Sequence, residues 1–214
     1  MADIDPAFVF QDEAALRAHF PPTHDIAKAK VLDHVDTYVA EFIARSPFIC
    51  IGTQTKDGRA DVSPRGDPKG FVKVHDPRTL LIPDRPGNNR LDTLSNIINN
   101  PAVGILFMVP GFDETMRVNG KAVVTRDPAL LETMAVNDRV PSAAIVVHID
   151  EVFIHCAKAF RRADLWNPEK RQDRKEMPSL IKIVLDQIDA APEDDALQAK
   201  HDADLEKSYR ITMY

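Results

Sequence analysis

The chain has 214 residues, and its 44% hydrophobic and 28% charged content is typical of an ordinary globular protein. A net charge of −6 argues against non-specific nucleic-acid binding as the main role, because such binding needs a basic surface. Cys50 and Cys156 lie too far apart in sequence for a zinc motif or a disulfide framework. With no run of about 18 apolar residues and an acidic N-terminus unlike a signal peptide, we expect a cytoplasmic protein.

The N-terminal residues 1–46 are predicted to be helical. Over residues 25–45, apolar side chains recur at spacings of three and four positions. This pattern predicts one amphipathic helix across the whole segment. Pro22 precedes that helix and Pro47 follows it, as expected for residues that interrupt helices.

The middle of the chain changes to β-rich patterns. An Asp57-Gly58 pair between two strand-like runs, residues 48–53 and 60–63, predicts a β-hairpin, and Pro64 is expected to end its second strand. Further strands are predicted over residues 70–74, 79–83, 103–109, 115–125 and 143–154, with short helices over 90–99 and 128–135. Antiparallel strands with tight turns predict a closed or half-closed β-barrel. The missing strand–helix alternation argues against a parallel doubly wound sheet.

After residue 156 the chain becomes polar and helical again. Residues 178–188 carry an amphipathic pattern, and the charged residues 190–207 predict a solvated helix or a partner-facing arm. Without an internal repeat or a clear linker, we expect a single domain over residues 1–214. Its predicted parts are a helical extension (1–46), a barrel core (47–168) and a C-terminal helical arm (169–214).

The densest polar cluster, PDRPGNNRLD, lies between a predicted strand and a predicted helix. A helix N-terminus presents free backbone N–H groups and a partial positive charge, so the neighbouring Asn88, Asn89 and Arg90 point to a phosphate site. Arginine suits phosphate because its planar fork donates two parallel hydrogen bonds. The competing structural interpretation is a capping arrangement between Asn89 and Asp92, with Pro-Gly as a simple turn.

A second cluster, SPRGDP, follows the return strand of the hairpin. The hydroxyl group of Ser63 and the guanidinium group of Arg65 lie at a strand end and are suited to hold an oxyanion. The alternative is a polar loop in which Arg65 pairs with Asp67.

A third cluster, ETMRVNG, lies on the predicted strand 115–125. Alternation along the strand places Thr115, Arg117 and Asn119 on one face. A charged side chain on the inner face of a barrel needs a partner, and a bound phosphate would serve; alternatively this is the solvent face. Together the three arginine-bearing clusters suggest an anionic, phosphate-bearing cofactor.

The stretch TLLIPDRPGNNRLDTLSNIINNPAVGILFMVPG, followed by ETMRVNGKA, resembles the pyridoxamine 5′-phosphate oxidase-like FMN-binding proteins. Within them it is most similar to a flavin-nucleotide-binding subgroup, over about residues 46–168. The resemblance implies an α+β fold, mainly β with flanking helices, built on a six-stranded-type antiparallel split β-barrel. It also implies a homodimer with FMN at the subunit interface.

The resemblance assigns site residues by position. Arg65 matches a basic phosphate ligand, Thr115 and Arg117 fall on the strand that lines the flavin, and Lys158 lies where the partner chain approaches the cofactor. The segment that opens the short helix and faces the FMN phosphate is matched by Asn88, Asn89 and Arg90, with Ser63 and Asp84 as neighbours of these positions.

The C-terminal part of the sequence departs from the pyridoxamine 5′-phosphate oxidases. They carry a C-terminal Arg-x-His segment for their substrate, which this tail lacks, so oxidation of pyridoxamine phosphate is not expected. The resemblance favours an FMN-dependent oxidoreductase with an unidentified small substrate. Alternatives are a non-catalytic FMN-binding or storage protein, a haem-binding split barrel, and a structural interaction module.

Overall fold

The computed structural model describes residues 2–192 and 194–214. Met1, at the start of the predicted helical extension, and Glu193, inside the predicted helix 190–207, lie outside the described residues. The chain divides into two compact units, Met1–Val31 and Leu32–Tyr214.

The N-terminal unit consists of short helices. It contains a 3-10 helix, Pro6–Phe8, and the α-helices α1 (Glu13–His19) and α2 (Asp25–Ala29). Helix α1 begins where the Asp12 carboxylate accepts a hydrogen bond from the Ala15 backbone N–H at 2.7 Å. None of the described residues 2–31 is buried, so this unit has no hydrophobic core of its own.

The prediction of one helix over residues 25–45 is wrong. After α2 the backbone of Leu32 leaves the helical path and pairs with Val152 in an isolated β-bridge. Helix α3 (Thr37–Arg45) then begins anew, because the Asp36 carboxylate caps it by accepting from the Val39 N–H at 2.8 Å. The helical spacing of apolar residues thus belongs to two separate segments.

Seven antiparallel strands form one sheet in the order β2-β1-β5-β6-β7-β4-β3. The strands are β1 (Phe48–Gln54), β2 (Ala60–Gly66), β3 (Lys73–Asp76), β4 (Thr79–Asp84), β5 (Ala102–Met108), β6 (Thr115–Thr125) and β7 (Ala143–His155). The two end strands, β2 and β3, do not pair with each other, so the sheet stays open. This arrangement, with its flanking helices, confirms the predicted antiparallel split β-barrel.

Two strands, β2 and β3, differ from the prediction by more than one residue. Pro64 does not end β2 but lies inside it, opposite Cys50. Proline has no backbone N–H, but β2 is an edge strand, so no hydrogen bond to a second neighbouring strand is lost. Strand β3 begins at Lys73 rather than at residue 70, because Gly70, with φ 76°, belongs to a turn closed by a bond from Phe71 N–H to Pro68 O.

The remaining helices are short apart from the last. They are α4 (Asp92–Asn99), α5 (Pro128–Glu132), α6 (Lys158–Ala163), α7 (Leu180–Gln187) and α8 (Asp195–Thr212), with 3-10 helices at Pro168–Lys170 and Arg174–Glu176. Helix α8 starts and ends later than the predicted residues 190–207, because Asp194 caps it through the Ala196 N–H. No helix in the part of the chain that the structure describes combines the length and apolar character needed to cross a membrane.

The main core lies between the sheet and the helices α3 and α4. Ile49, Ile51, Phe107 and Val118 are fully buried in it, as expected for alternating strand residues that face one side. A smaller cluster packs α5 against the sheet and contains Leu81, Leu131, Met134 and Ala144. Core residues of β4 and α4 hold these two elements in place, whereas β2 has no buried residue and is held by its pairing with β1.

Candidate functional site

A cleft of about 870 Å³ opens beside the edge strand β2. Its walls are formed by residues 61–66 of β2, by the segment 83–94 from the end of β4 into α4, and by residues 139–143 before β7, with Phe71 and Tyr214 completing them. This volume lies in the range typical of pockets for small molecules and cofactors.

The first two sequence clusters meet in this cleft. The SPRGDP and PDRPGNNRLD segments are separated in sequence, and β2 and β4 lie towards opposite ends of the strand order. Both segments nevertheless line the same cleft. The predicted site residues that line the cleft are Ser63, Arg65, Asp84, Asn88, Asn89 and Arg90.

Two crossed ion pairs join the segments. Arg65 Nη1 donates to Asp84 Oδ1 at 2.5 Å, and Arg85 Nε donates to Asp67 Oδ2 at 2.5 Å. The side chains are largely buried, with exposed fractions of 16% and 20% in the first pair and 15% and 1% in the second. The predicted alternative, a pair between Arg65 and Asp67, is therefore wrong, because each arginine pairs with the carboxylate of the opposite segment.

Asp84 uses only part of the hydrogen-bonding capacity of the Arg65 guanidinium group. Its Nη1 is taken by Asp84, whereas its Nε is buried and has no hydrogen-bond partner among the described residues. A buried donor without an acceptor is costly, so native proteins seldom leave one. This Nε is inaccessible to solvent, so a ligand in the cleft would contact the part of the Arg65 side chain that remains exposed in the cleft wall.

The N-terminus of α4 is exposed to the cleft and lacks a side-chain cap. Its N-cap residue, Leu91, has φ 58°, and no side chain accepts from the first turn. This left-handed residue delays the helix start from the predicted residue 90 to Asp92. The predicted capping arrangement of Asn89 with Asp92 is wrong: Asp92 accepts from Arg90 Nε at 2.7 Å. The free backbone N–H groups give this end of the cleft a partial positive charge.

Arg90 and Asn88 stabilise the turn that leads into α4. The Asn88 side-chain oxygen accepts from the Arg90 N–H at 3.1 Å. The Arg90 side chain is 72% exposed, and its hydrogen bond to Asp92, together with the charge of that carboxylate, raises the pKa of its guanidinium group. Arg90 therefore stays charged and faces solvent at the mouth of the cleft.

The remaining predicted site residues, Thr115, Arg117 and Lys158, do not line this cleft. Thr115 is buried, whereas Arg117 is exposed, with its guanidinium carbon 5.5 Å from the ring centroid of Phe153. Lys158 is exposed at the start of α6. Within a single chain Arg117 therefore lies on the solvent-exposed face of the strand, which was the alternative interpretation of the third cluster.

Among the cleft residues that were not predicted are Arg85, Arg139 and Tyr214. Arg85 lies inside the PDRPGNNR motif, so the sequence could have identified it as a site residue. Nothing in the sequence points to Tyr214, whose hydroxyl group donates to Asp67 Oδ1 at 2.7 Å. This hydrogen bond, then burial and the charge of Asp67, raise the pKa of Tyr214, whereas the charge of Arg85 opposes the shift.

Comparison with solved structures finds low-identity matches that cover a little more than half of the chain. HupZ of Group A Streptococcus is 18% identical, with a TM-score of 0.47 over 56% of this chain and 93% of its own. A putative pyridoxamine 5′-phosphate oxidase from Lactobacillus delbrueckii is 21% identical, with a TM-score of 0.45 over 57% and 95%. A pyridoxamine 5′-phosphate oxidase-related, FMN binding protein from Nostoc punctiforme is 13% identical, with a TM-score of 0.42 over 55% and 81%.

No curated protein matches the chain. The family model described as pyridoxamine 5′-phosphate oxidase matches residues 35–156, which is more than half of the sequence. The match begins before α3, runs through all seven strands and includes both arginine-bearing segments of the cleft. The chain belongs to the pyridoxamine 5′-phosphate oxidase family.

Proposed function

We propose that the cleft binds FMN through its phosphate group and that the protein is an FMN-dependent oxidoreductase acting on a small substrate. The observation that carries the proposal is the Arg65 side chain in the cleft wall, which is 16% exposed and whose buried Nε has no partner among the described residues. It lies in the same cleft as the uncapped N-terminus of α4, the other group suited to a phosphate.

The cleft residues fit a phosphate-bearing cofactor in their chemistry. Arg65 offers a charge-assisted hydrogen bond, and the amide groups of Asn88 and Asn89 offer neutral donors next to the helix end. Arg90 adds a positive charge at the mouth, where it attracts an anion from solvent. Ser63 and Asp84 complete the polar wall, and Asp84 orients Arg65 by accepting from its Nη1.

Bound FMN supplies hydride- and electron-transfer chemistry, while the protein orients the reacting groups and tunes their electrostatics. Hydride transfer requires no protein nucleophile, and the sequence carries no GxSxG or HExxH motif that would indicate hydrolysis.

We further propose that the active form is a homodimer with the cofactor at the subunit interface. Thr115, Arg117 and Lys158 lie outside the cleft of their own chain, which supports a site completed by a second copy. The exposed face of the sheet that carries Arg117 also contains Phe48 and Val62, both exposed. Large apolar side chains on a sheet face favour a subunit contact.

Titration with FMN and with riboflavin, which lacks the phosphate group, tests the site. We expect FMN to bind at least about tenfold more tightly, since one charge-assisted hydrogen bond contributes more than about 1.4 kcal/mol. Equal affinities would exclude a phosphate site in the cleft.

Anaerobic addition of NADH or NADPH to the FMN-loaded protein tests the proposed oxidoreductase activity. Bleaching of the flavin absorbance is expected. Tight FMN binding without reduction by any nicotinamide would instead assign the protein to the non-catalytic flavin-binding class, and a Soret band in place of flavin absorption would assign it to haem binders.

A further inference from the structure

The C-terminal arm reaches the cleft through its last residue. Helix α8 packs chiefly on α7, and Ser179, the N-cap of α7, donates to Asp202 of α8 at 2.6 Å. Beyond α8 the chain places Tyr214 in the wall of the cleft. The ligand cleft of the barrel is therefore completed by a residue that lies far outside the family-matched segment 35–156.

Tyr214 completes the hydrogen bonding of a buried carboxylate. Asp67 is only 1% exposed, and its two oxygens have different donors: Oδ2 accepts from Arg85 Nε at 2.5 Å, and Oδ1 accepts from the Tyr214 hydroxyl group at 2.7 Å. A buried carboxylate needs its acceptor sites filled. The tyrosine thus stabilises the Asp67–Arg85 pair from the side that faces the cleft.

Tyr214 is bound by three separate segments of the barrel unit. Asp67 follows β2, Arg85 follows β4, and Arg139 precedes β7 and donates to the Tyr214 backbone oxygen. The Arg85 guanidinium carbon lies 5.7 Å from the centroid of the Tyr214 ring, within cation–π range. Arg85 and Arg139 are themselves cleft residues, so the contacts of Tyr214 constrain two positive charges of the site.

We propose that Tyr214 is a positioning residue of the cleft, whose docking fixes Arg85 through Asp67 and closes that end of the cleft. Ligand exchange then requires the contacts of Tyr214 to release, so docking of the arm slows the departure of the ligand. The identification of the ligand as FMN rests on the proposed function. The docking of Tyr214 and its effect on Arg85 are independent of the proposed function.

Chemical modification of Arg85 tests the docking without any cofactor. Phenylglyoxal labelling is followed by peptide mass spectrometry in the wild type, in Tyr214→Ala and in Tyr214→Phe, which keeps the ring and loses the hydroxyl group. The control is Tyr209→Ala, because Tyr209 is a 43% exposed tyrosine on the same arm. Arg85 is 15% exposed in the docked state and also donates to Met134 O at 2.8 Å. We expect its labelling to accelerate by up to about tenfold in Tyr214→Ala, because the variant removes both the ring near the guanidinium group and the hydrogen bond to Asp67.

Tyr214→Phe is expected to show an intermediate labelling rate, and Tyr209→Ala the wild-type rate. An equal Arg85 labelling rate in the wild type and both Tyr214 variants would overturn the proposal. Should Tyr214→Ala fail to fold, the comparison of Tyr214→Phe with the wild type decides by the same criterion.

The rate of FMN dissociation tests the consequence for the ligand. We expect it to rise about tenfold in Tyr214→Ala and to stay unchanged in Tyr209→Ala. Faster labelling of Arg85 with an unchanged FMN dissociation rate would overturn the role of Tyr214 in ligand exchange. If the wild type itself binds no FMN, the proposed function fails, and the Arg85 labelling still decides whether Tyr214 closes the cleft.

Discussion

Substitution of Arg65 by alanine removes the donor on which the proposed phosphate site depends. The variant loses a charge-assisted contact with the ligand, which contributes about 1.5–3 kcal/mol. Because about 1.4 kcal/mol corresponds to a factor of ten in affinity, the Kd for FMN should rise roughly 10- to 150-fold. Riboflavin has no phosphate group, so its Kd should change little.

The same substitution also affects the stability of the protein without ligand. Asp84, whose side chain is 20% exposed, loses its donor Arg65, and an unsatisfied buried acceptor costs about 1–3 kcal/mol. For a protein of this size each kcal/mol lowers Tm by roughly 2–4 °C. Asp84→Asn in the Arg65→Ala background removes the unpaired charge and should recover part of this loss without recovering FMN affinity.

Isothermal titration of the wild type, Arg65→Ala and Arg59→Ala with FMN and riboflavin separates the two effects. Arg59 is an exposed arginine outside the cleft, so its substitution controls for the change in net charge. We expect the preference for FMN over riboflavin to collapse only in Arg65→Ala. An unchanged preference in that variant would refute the assignment of Arg65 to the phosphate.

Three further predictions concern stability and ionisation. Absorbance titration should find Tyr214 ionising above the ordinary tyrosine pKa of about 10. Because folding raises the pKa of Tyr214, its contact with Asp67 stabilises the fold at neutral pH. This stabilisation is lost as the pH rises through the raised pKa. Asp67→Asn should return the titration toward normal. Gly120→Ala should destabilise the protein by at least about 1–3 kcal/mol in urea, since the added Cβ would lie 2.1 Å from His148 O. Leu91→Gly should stabilise it by about 1 kcal/mol by relieving φ 58°; a lower urea midpoint would contradict this.

The strand pattern was largely readable from the sequence, because one face of each central strand is buried. Strand β6 was predicted to the residue, Thr115–Thr125, since buried and more exposed residues alternate from Met116 to Val123. Strand β2 was predicted too short because Pro64 is tolerated only at a sheet edge. Whether a strand is an edge strand depends on the order of the whole sheet, which local sequence does not contain.

The candidate site was partly predictable for the same reason. The segments around Arg65 and Arg90 were recognisable as polar clusters at strand and helix ends, and both line the cleft. The pairing of Arg65 with Asp84, 19 positions away, required knowing that β2 and the end of β4 meet. Local capping rules did not predict where α4 begins, because Leu91 has a left-handed backbone conformation that leucine rarely adopts.

Tyr214 was beyond the reach of sequence reasoning. Its hydrogen bond to Asp67 spans 147 positions, and the charged pattern of the arm was equally consistent with docking on itself or on a partner. Only the three-dimensional position of α8 brings the phenol to the cleft. Long-range contacts of this kind carry no local periodicity or motif.

The visible spectrum of the protein as purified, recorded across a gel-filtration peak, tests the central claim most directly. We expect flavin absorption bands that co-elute with the protein at twice the monomer mass. The bands should return when FMN is added back to protein from which the flavin has been removed. A colourless protein that retains no added FMN after gel filtration, and whose Tm does not rise with FMN, would contradict it, because a ligand that binds only the native state must raise stability.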